Sequence, residues 1–168
     1  TMCAELLAAV AALLDQPLGD LRLSQSDLWP KYGDGAVTGR EDWTEQRIHC
    51  DYPNHTLLHP PQWDSPEAVE VIIYLSDCDE CGGATALVPR EGADDSAYTW
   101  PIFNMPGVQE RPYINSRVEA EDYLAKNYPE IASFRATNLY PRERIAHYRR
   151  GSVLFYRHDT WHRGRPVN

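Results

Sequence analysis

The sequence predicts a mostly β domain with helices packed outside it. Three observations lead there. Residues Glu67 to Ser76 carry Val69, Val71, Ile72, Ile73, Tyr74 and Leu75, a nearly continuous β-branched and aromatic run of the kind that fills a central, buried strand. Ala84 to Val88 reads as its antiparallel partner, closed by Pro89. Two late apolar stretches, Ser152 to Tyr156 after Gly151 and Thr160 to Arg165, read as further strands. The chain of 168 residues suits a single domain with a sizeable core.

Composition narrows the class. The net charge of −9 and a sequence pI near 5.0 argue against a nucleic-acid-binding face. Cys3, Cys50, Cys78 and Cys81 are too few and too unevenly spaced for a disulfide scaffold, so a reducing, cytoplasmic compartment is expected. No stretch reaches the length of a membrane span. Leu6 to Leu14 is apolar but has neither the basic region nor the cleavage region of a signal peptide. The Thr1-Met2 start and the abrupt Val167-Asn168 end read as cuts through a longer protein.

In chain order, Cys3 to Asp15 is a predicted helix. Leu6, Leu7, Val10, Leu13 and Leu14 form one apolar stripe, and Pro17 and Gly19 break it. Leu21 and Leu23 alternate as in a short strand, and the glycine-rich Lys31 to Gly39 reads as a loop. Trp43 to Tyr52 is a predicted strand ended by Pro53-Asn54-His55. The rigid His59-Pro60-Pro61 connector leads to the 67–76 strand. The acidic turn Asp77 to Glu80 and Cys81-Gly82-Gly83 then join it to Ala84–Val88 as a hairpin. From Glu91 to Arg150 the chain is polar, aromatic and punctuated by proline, and reads as a lid or binding insertion at about 91–150. One helix stands out inside it: Ser116 followed by Glu119 is a capping box, with Pro129 as the stop.

The chemistry concentrates in Arg47-Ile48-His49-Cys50-Asp51. On a strand, His49 and Asp51 project to one side and Cys50 to the other, so the pair can fill adjacent corners of a metal site. A third ligand is needed, and His162 is the best candidate. Two histidines and one carboxylate form a facial triad, which leaves the opposite face of an octahedral ion open. On the triplet alone a second reading stands beside it: a surface His–Asp pair and a core histidine.

The wider pattern resembles the phytanoyl-CoA dioxygenase-like branch of the iron(II)/2-oxoglutarate oxygenases. The residues carrying the resemblance are His49-Cys50-Asp51, Val71 to Asp77, Gly82-Gly83-Ala84-Thr85-Ala86-Leu87-Val88-Pro89, Gly151 to Phe155, and Thr160 to Asn168. They cover roughly 46–90 and 145–168. Arg90-Glu91-Gly92 departs from the family's Gly-Ser-His. The resemblance implies a double-stranded β-helix, a jelly-roll, cupin-like barrel. It implies iron(II) on His49, Asp51 and His162, with 2-oxoglutarate as cosubstrate and Thr85 and Tyr74 in contact with it. It also implies a basic partner for the far carboxylate of 2-oxoglutarate; in the family this arginine follows the distal histidine at a position beyond Asn168. Arg165 is too near His162 to take that role, and the last barrel strand is expected to lie beyond the chain as well. Asp51 stands where related halogenases have a small residue, which points to hydroxylation. The activity implied is a dioxygenase that consumes molecular oxygen and 2-oxoglutarate, releases succinate and carbon dioxide, and oxidises a carbon of a small organic substrate. The rival readings are a cupin-like non-oxygenase metalloenzyme and a catalytically silent jelly-roll binding module. The oligomeric state is open.

Other residues carry plainer expectations. Cys78-Asp79-Glu80-Cys81 has zinc-like spacing but no second ligand pair, so turn thiols are expected. His55 and His59 are expected at the surface, and His147 and His158 carry no role. Trp100, Phe103, Tyr113 and Tyr123 either wall a substrate pocket or pin the insertion to the barrel.

Overall fold

A computed structural model describes residues 3–23, 26–28, 30, 45–51, 68–99 and 112–168. The order of elements is α1 (Ala4–Leu14), β1 (Val69–Ile73), α2 (Cys78–Cys81), β2 (Thr85–Leu87), α3 (Ser96–Thr99), α4 (Arg117–Asn127), α5 (Pro129–Phe134), β3 (Arg144–Ala146), β4 (Val153–Arg157) and β5 (His162–Gly164). Among the described residues no helix is long and apolar enough to cross a membrane.

The strands form two antiparallel sheets, β1-β4 and β3-β2-β5. The expected β1–β2 hairpin is therefore corrected. Val69–Ile73 pairs with Val153–Arg157, and Thr85–Leu87 pairs with β3 and β5. An apolar run signals a strand but does not name its neighbour. The Cys78–Cys81 segment, expected as a hairpin turn, is a short helix joining one sheet to the other. Its chain leaves through Gly82 and Gly83, both at positive φ. A Cβ on Gly82 would stand 2.9 Å from Pro166 O, and one on Gly83 would stand 2.7 Å from Val167 Cγ1. Only glycine lets the chain at 166–168 come this close.

Segment 45–51 extends the three-stranded sheet beyond β5. His49 and His162 exchange both backbone hydrogen bonds, at 2.9 and 2.8 Å. Gln46 N–H then donates to Gly164 O, so Arg47 and Ile48 together face Arg163 alone, an irregularity of the β-bulge kind. Gly164 N–H is taken up by Gln46 Oε1 at 2.9 Å. Outside this, Arg47 N–H donates to Asn115 O and Arg117 N–H to Glu45 O, so residues 113–117 line the far edge.

Side chains alternate across this layer. Ile48, Cys50, Val88 and Trp161 point to one face, where Ala97 and Tyr98 of α3, Phe134 of α5, and Leu139 complete a buried core. Burying a side chain the size of Ile48 contributes about 1.5–3 kcal/mol. His49, Asp51 and His162 take the other face, toward β1 and β4. There Tyr74 and Thr85 hydroxyls meet at 2.8 Å, and the Tyr156 ring lies 4.8 Å from that of His162, joining the two sheets.

The remaining expectations divide. Helix α1 forms, with Leu6, Leu7, Val10 and Leu14 half-buried but Leu13 exposed. The strand expected at Leu21 to Leu23 is absent; a short 3-10 turn at Leu18–Asp20 precedes irregular chain. Ser116 caps α4 by accepting from Glu119 N–H at 3.5 Å, while Pro129 both ends that helix and opens α5 at its first turn. The region at about 91–150, expected as a lid or binding insertion, carries β3 and the helices α3, α4 and α5 among its described residues. β3 lies inside it and pairs with β2, and α3 and α5 cover the core. The loop at Lys31 to Gly39, together with His55, His59, Trp100 and Phe103, lies outside the described residues.

Candidate metal centre

His49 and Asp51 come from one extended segment, and His162 from the strand paired to it. The antiparallel His49–His162 bridge brings the two rings to 4.4 Å between centroids. One ligand atom from each of the three residues lies within 4.8 Å of the others. His162 Nε2 is 3.2 Å from Asp51 Oδ2, and His49 Nε2 is 3.4 Å from Asp51 Oδ1. Ligands at about 2.1 Å on adjacent octahedral corners stand roughly 3 Å apart, so these separations suit one shared ion.

Both imidazoles are held alike. His49 Nδ1 lies 3.0 Å from Arg47 O, and His162 Nδ1 lies 2.9 Å from Thr160 O. A carbonyl oxygen only accepts, so Nδ1 carries the proton in each ring. In the neutral rings both Nε2 lone pairs then face the Asp51 carboxylate. Three acceptors converging in a half-buried place call for a cation between them. This backbone bond to the outer ring nitrogen is also how metal-binding histidines are commonly oriented.

The electrostatics follow. Burial, aided by the charge of His162, lowers the His49 pKa to about 4. Burial pushes Asp51 upward, but the hydrogen bonds and charges of His162 and His49 outweigh it and hold the carboxyl well below the usual range. Burial pulls His162 down, and its bond to Asp51 reverses this, so its pKa is raised. In the metal-free protein the Asp51 carboxylate thus favours the protonated form of His162.

The triad inferred from sequence is brought together. Thr85 of β2 and Tyr74, just after β1, bond to each other, and Tyr148 stacks on Tyr74 at 3.8 Å. Tyr123 is elsewhere, packed with the α4–α5 helices. Tyr113 is exposed and stands beside Arg47. Arg165, held near Glu45, takes no place at the triad. His158 is buried, its backbone and ring both near Ala68 O. Cys78 and Cys81 are free thiols, and Cys81 Sγ donates to Asp77 O at 3.0 Å.

Sequence reasoning missed two neighbours of the site. Tyr156 packs on His162, and burial, with the charges of Asp51 and Glu70, holds its phenol well above the ordinary value. Only the β1–β4 register, which sets Tyr156 opposite Glu70, puts it on this face. The other is Arg47, whose backbone carbonyl takes the His49 Nδ1–H from two residues away in sequence. No protein-family model, curated protein or solved structure matches the chain.

Proposed function

We propose that the protein is an iron(II)- and 2-oxoglutarate-dependent dioxygenase of the hydroxylase type, acting on a small organic substrate. The observation that carries this reading is the convergence of two Nε2 atoms and one carboxylate, with both Nδ1–H groups already bonded to backbone carbonyls. The sequence resemblance adds the choice of iron and 2-oxoglutarate over other metals and cosubstrates. On this reading the two facing sheets belong to a double-stranded β-helix.

The residues fit such an ion. His49, Asp51 and His162 would hold it on one face, supplying two neutral nitrogens and one negative oxygen, a donor set suited to non-haem iron. When bound, iron with 2-oxoglutarate supplies the activation of oxygen and the oxidation of a substrate carbon. The chain's own work is more modest. The Arg47 and Thr160 carbonyls fix the ring orientations and keep each Nδ1 protonated. Asp51 balances charge. Tyr156 of β4 packs on the His162 ring.

The test is succinate release by the purified protein with iron(II), 2-oxoglutarate and oxygen. Turnover is expected in the wild type, and a loss of more than about 100-fold in His49→Ala together with weakened iron binding. Unchanged iron binding and turnover in that variant would sink the reading. Binding of zinc or manganese with no effect of 2-oxoglutarate would replace it with a non-oxygenase metal site.

A further inference from the structure

Away from the metal centre, Cys78 and Cys81 stand at the two ends of α2, both half-buried free thiols. Their spacing puts them one turn apart, on one side of the helix. A helical side chain leans toward the N-terminus, over the turn before it, so Cys81 lies back toward Cys78. The lean is visible in the bond from Cys81 Sγ to Asp77 O, at 3.0 Å. Asp77 O also accepts from Glu80 N–H at 3.1 Å and from Cys81 N–H at 3.2 Å. The bond from Glu80 is of the 3-10 kind, and 3-10 winding brings side chains three residues apart into line.

Both thiols meet the same aromatic surface. Cys78 packs on the cluster of Tyr74, Ala84 and Tyr148. The Tyr148 hydroxyl, which donates to Gly82 O, meets the Cys81 side chain as well. The backbone around them is pinned. Cys78 N–H donates to Tyr148 O at 3.1 Å, Cys81 O accepts from Asn168 N–H at 2.9 Å, and Gly83 N–H donates to Pro166 O at 2.7 Å. Two thiols held this way need little further ordering to meet. Positions three apart on a helix have Cβ atoms about 5–6 Å apart and a disulfide needs about 3.5–4.5 Å, so the turn must tighten by about 1 Å. A four-residue helix followed by two glycines at positive φ allows that.

A metal is the rival occupant, since the spacing also suits zinc, but a structural zinc ion needs four donors. Among the described residues the only group of three or more metal donors is His49, Asp51 and His162. The Asp77 carboxylate, next to Cys78 in the chain, accepts from Arg150 N–H at 2.9 Å. Two thiols without further donors fit a disulfide better than a metal.

We propose that Cys78 and Cys81 are a redox-active dithiol that closes reversibly to a disulfide in exchange with a small-molecule disulfide such as oxidised glutathione. One cysteine sulfur, as thiolate, attacks the glutathione disulfide, whose S–S bond breaks, and one glutathione leaves. The second cysteine sulfur then displaces the other glutathione from the mixed disulfide. In all, two cysteine thiols lose two electrons and two protons, and one glutathione disulfide gains them as two glutathiones. Closure moves the Cys81 sulfur off Asp77 O. The proposal does not rest on the metal reading.

The full chain is equilibrated at a fixed level of reduced glutathione with increasing oxidised glutathione, then alkylated in denaturant and read by intact mass and peptide mapping. Cys78→Ala and Cys81→Ala are treated identically. The wild type is expected to lose two alkylatable thiols together, at Cys78 and Cys81, with no glutathione retained on either. Each variant is expected to keep glutathione on its remaining cysteine, and to need at least about tenfold more oxidised glutathione to do so. Either variant suffices alone should the other fail to fold. Both thiols alkylating at every ratio, or each carrying glutathione in the wild type, overturns the proposal. So does zinc, added alone to the reduced chain in native buffer, if an equimolar amount shields both thiols from alkylation.

Discussion

The two faces of the layer formed by segment 45–51 and β5 treat polar groups in opposite ways. On the helix side, Arg163 is 1 % exposed and bound to both Glu143 and Glu45, while Arg117 and Arg165 also close on Glu45. The apolar neighbours there, Ile48, Cys50 and Trp161, are fully packed. On the other side, Asp51 and two Nε2 atoms crowd together. The same backbone carries both faces, so the difference does not come from disorder or strand quality. A face whose charges cancel contributes to stability. A face whose charges remain open sacrifices some stability and keeps the capacity to bind a ligand.

The sharpest way to break this comparison is at Arg163. Arg163→Ala strands the Glu143 and Glu45 carboxylates, and its expected cost is about 3–5 kcal/mol in denaturant unfolding. A loss below about 1 kcal/mol would mean that the closed face is no more structural than the open one.

A smaller effect is expected from pH. The His49 value in the folded metal-free protein is about 4, below the ordinary 6.5. The unfolded chain therefore binds more protons between those values, and stability falls as pH drops from about 6.5 to about 4, by on the order of 1–3 kcal/mol from this group. Asp51, with its pKa lowered, acts in the same sense at more acidic pH: its contribution is present above the ordinary carboxylate value and is lost on further acidification. His162, with its pKa raised, acts oppositely: its contribution is full below 6.5 and is lost as pH rises through its folded value. Thermal melts of wild type and His49→Asn across pH 4–7 isolate the first of these. Parallel curves would show that His49 is not held neutral by burial.

The smallest change is expected at Arg47. Arg47 makes no ion pair among the described residues and its Nε lacks a partner, so Arg47→Met is expected to alter unfolding free energy by less than about 1 kcal/mol, with a gain as readily as a loss. A destabilisation above about 2 kcal/mol would make Arg47 a structural strut, and the contrast with Arg163 would vanish.

Much of this contrast is legible in the chain itself. The alternation in Ile48-His49-Cys50-Asp51 is a local property, because successive side chains of an extended segment point to opposite sides. It separates the ligand pair from the core residues without reference to any partner strand. The α4 start is equally local, since the Ser116 hydroxyl answers an N–H only three residues away. The strand runs at 69–73 and 153–157 follow from composition.

Local chemistry thus settles which residues share a face and where segments begin. Tertiary structure decided which segments meet. β1 pairs with β4 across about eighty intervening residues, and β2 lies between β3 and β5 instead of folding back on β1. Apolar strands are interchangeable as partners until the chain closes, because hydrophobic burial is not directional. The same closure placed Tyr156 against His162, answered Arg163 with two carboxylates from distant positions, and left Arg47 with Asn115. Whether a charge is satisfied depends on what lies within a few ångströms of it, and that is not a property of its neighbours in sequence.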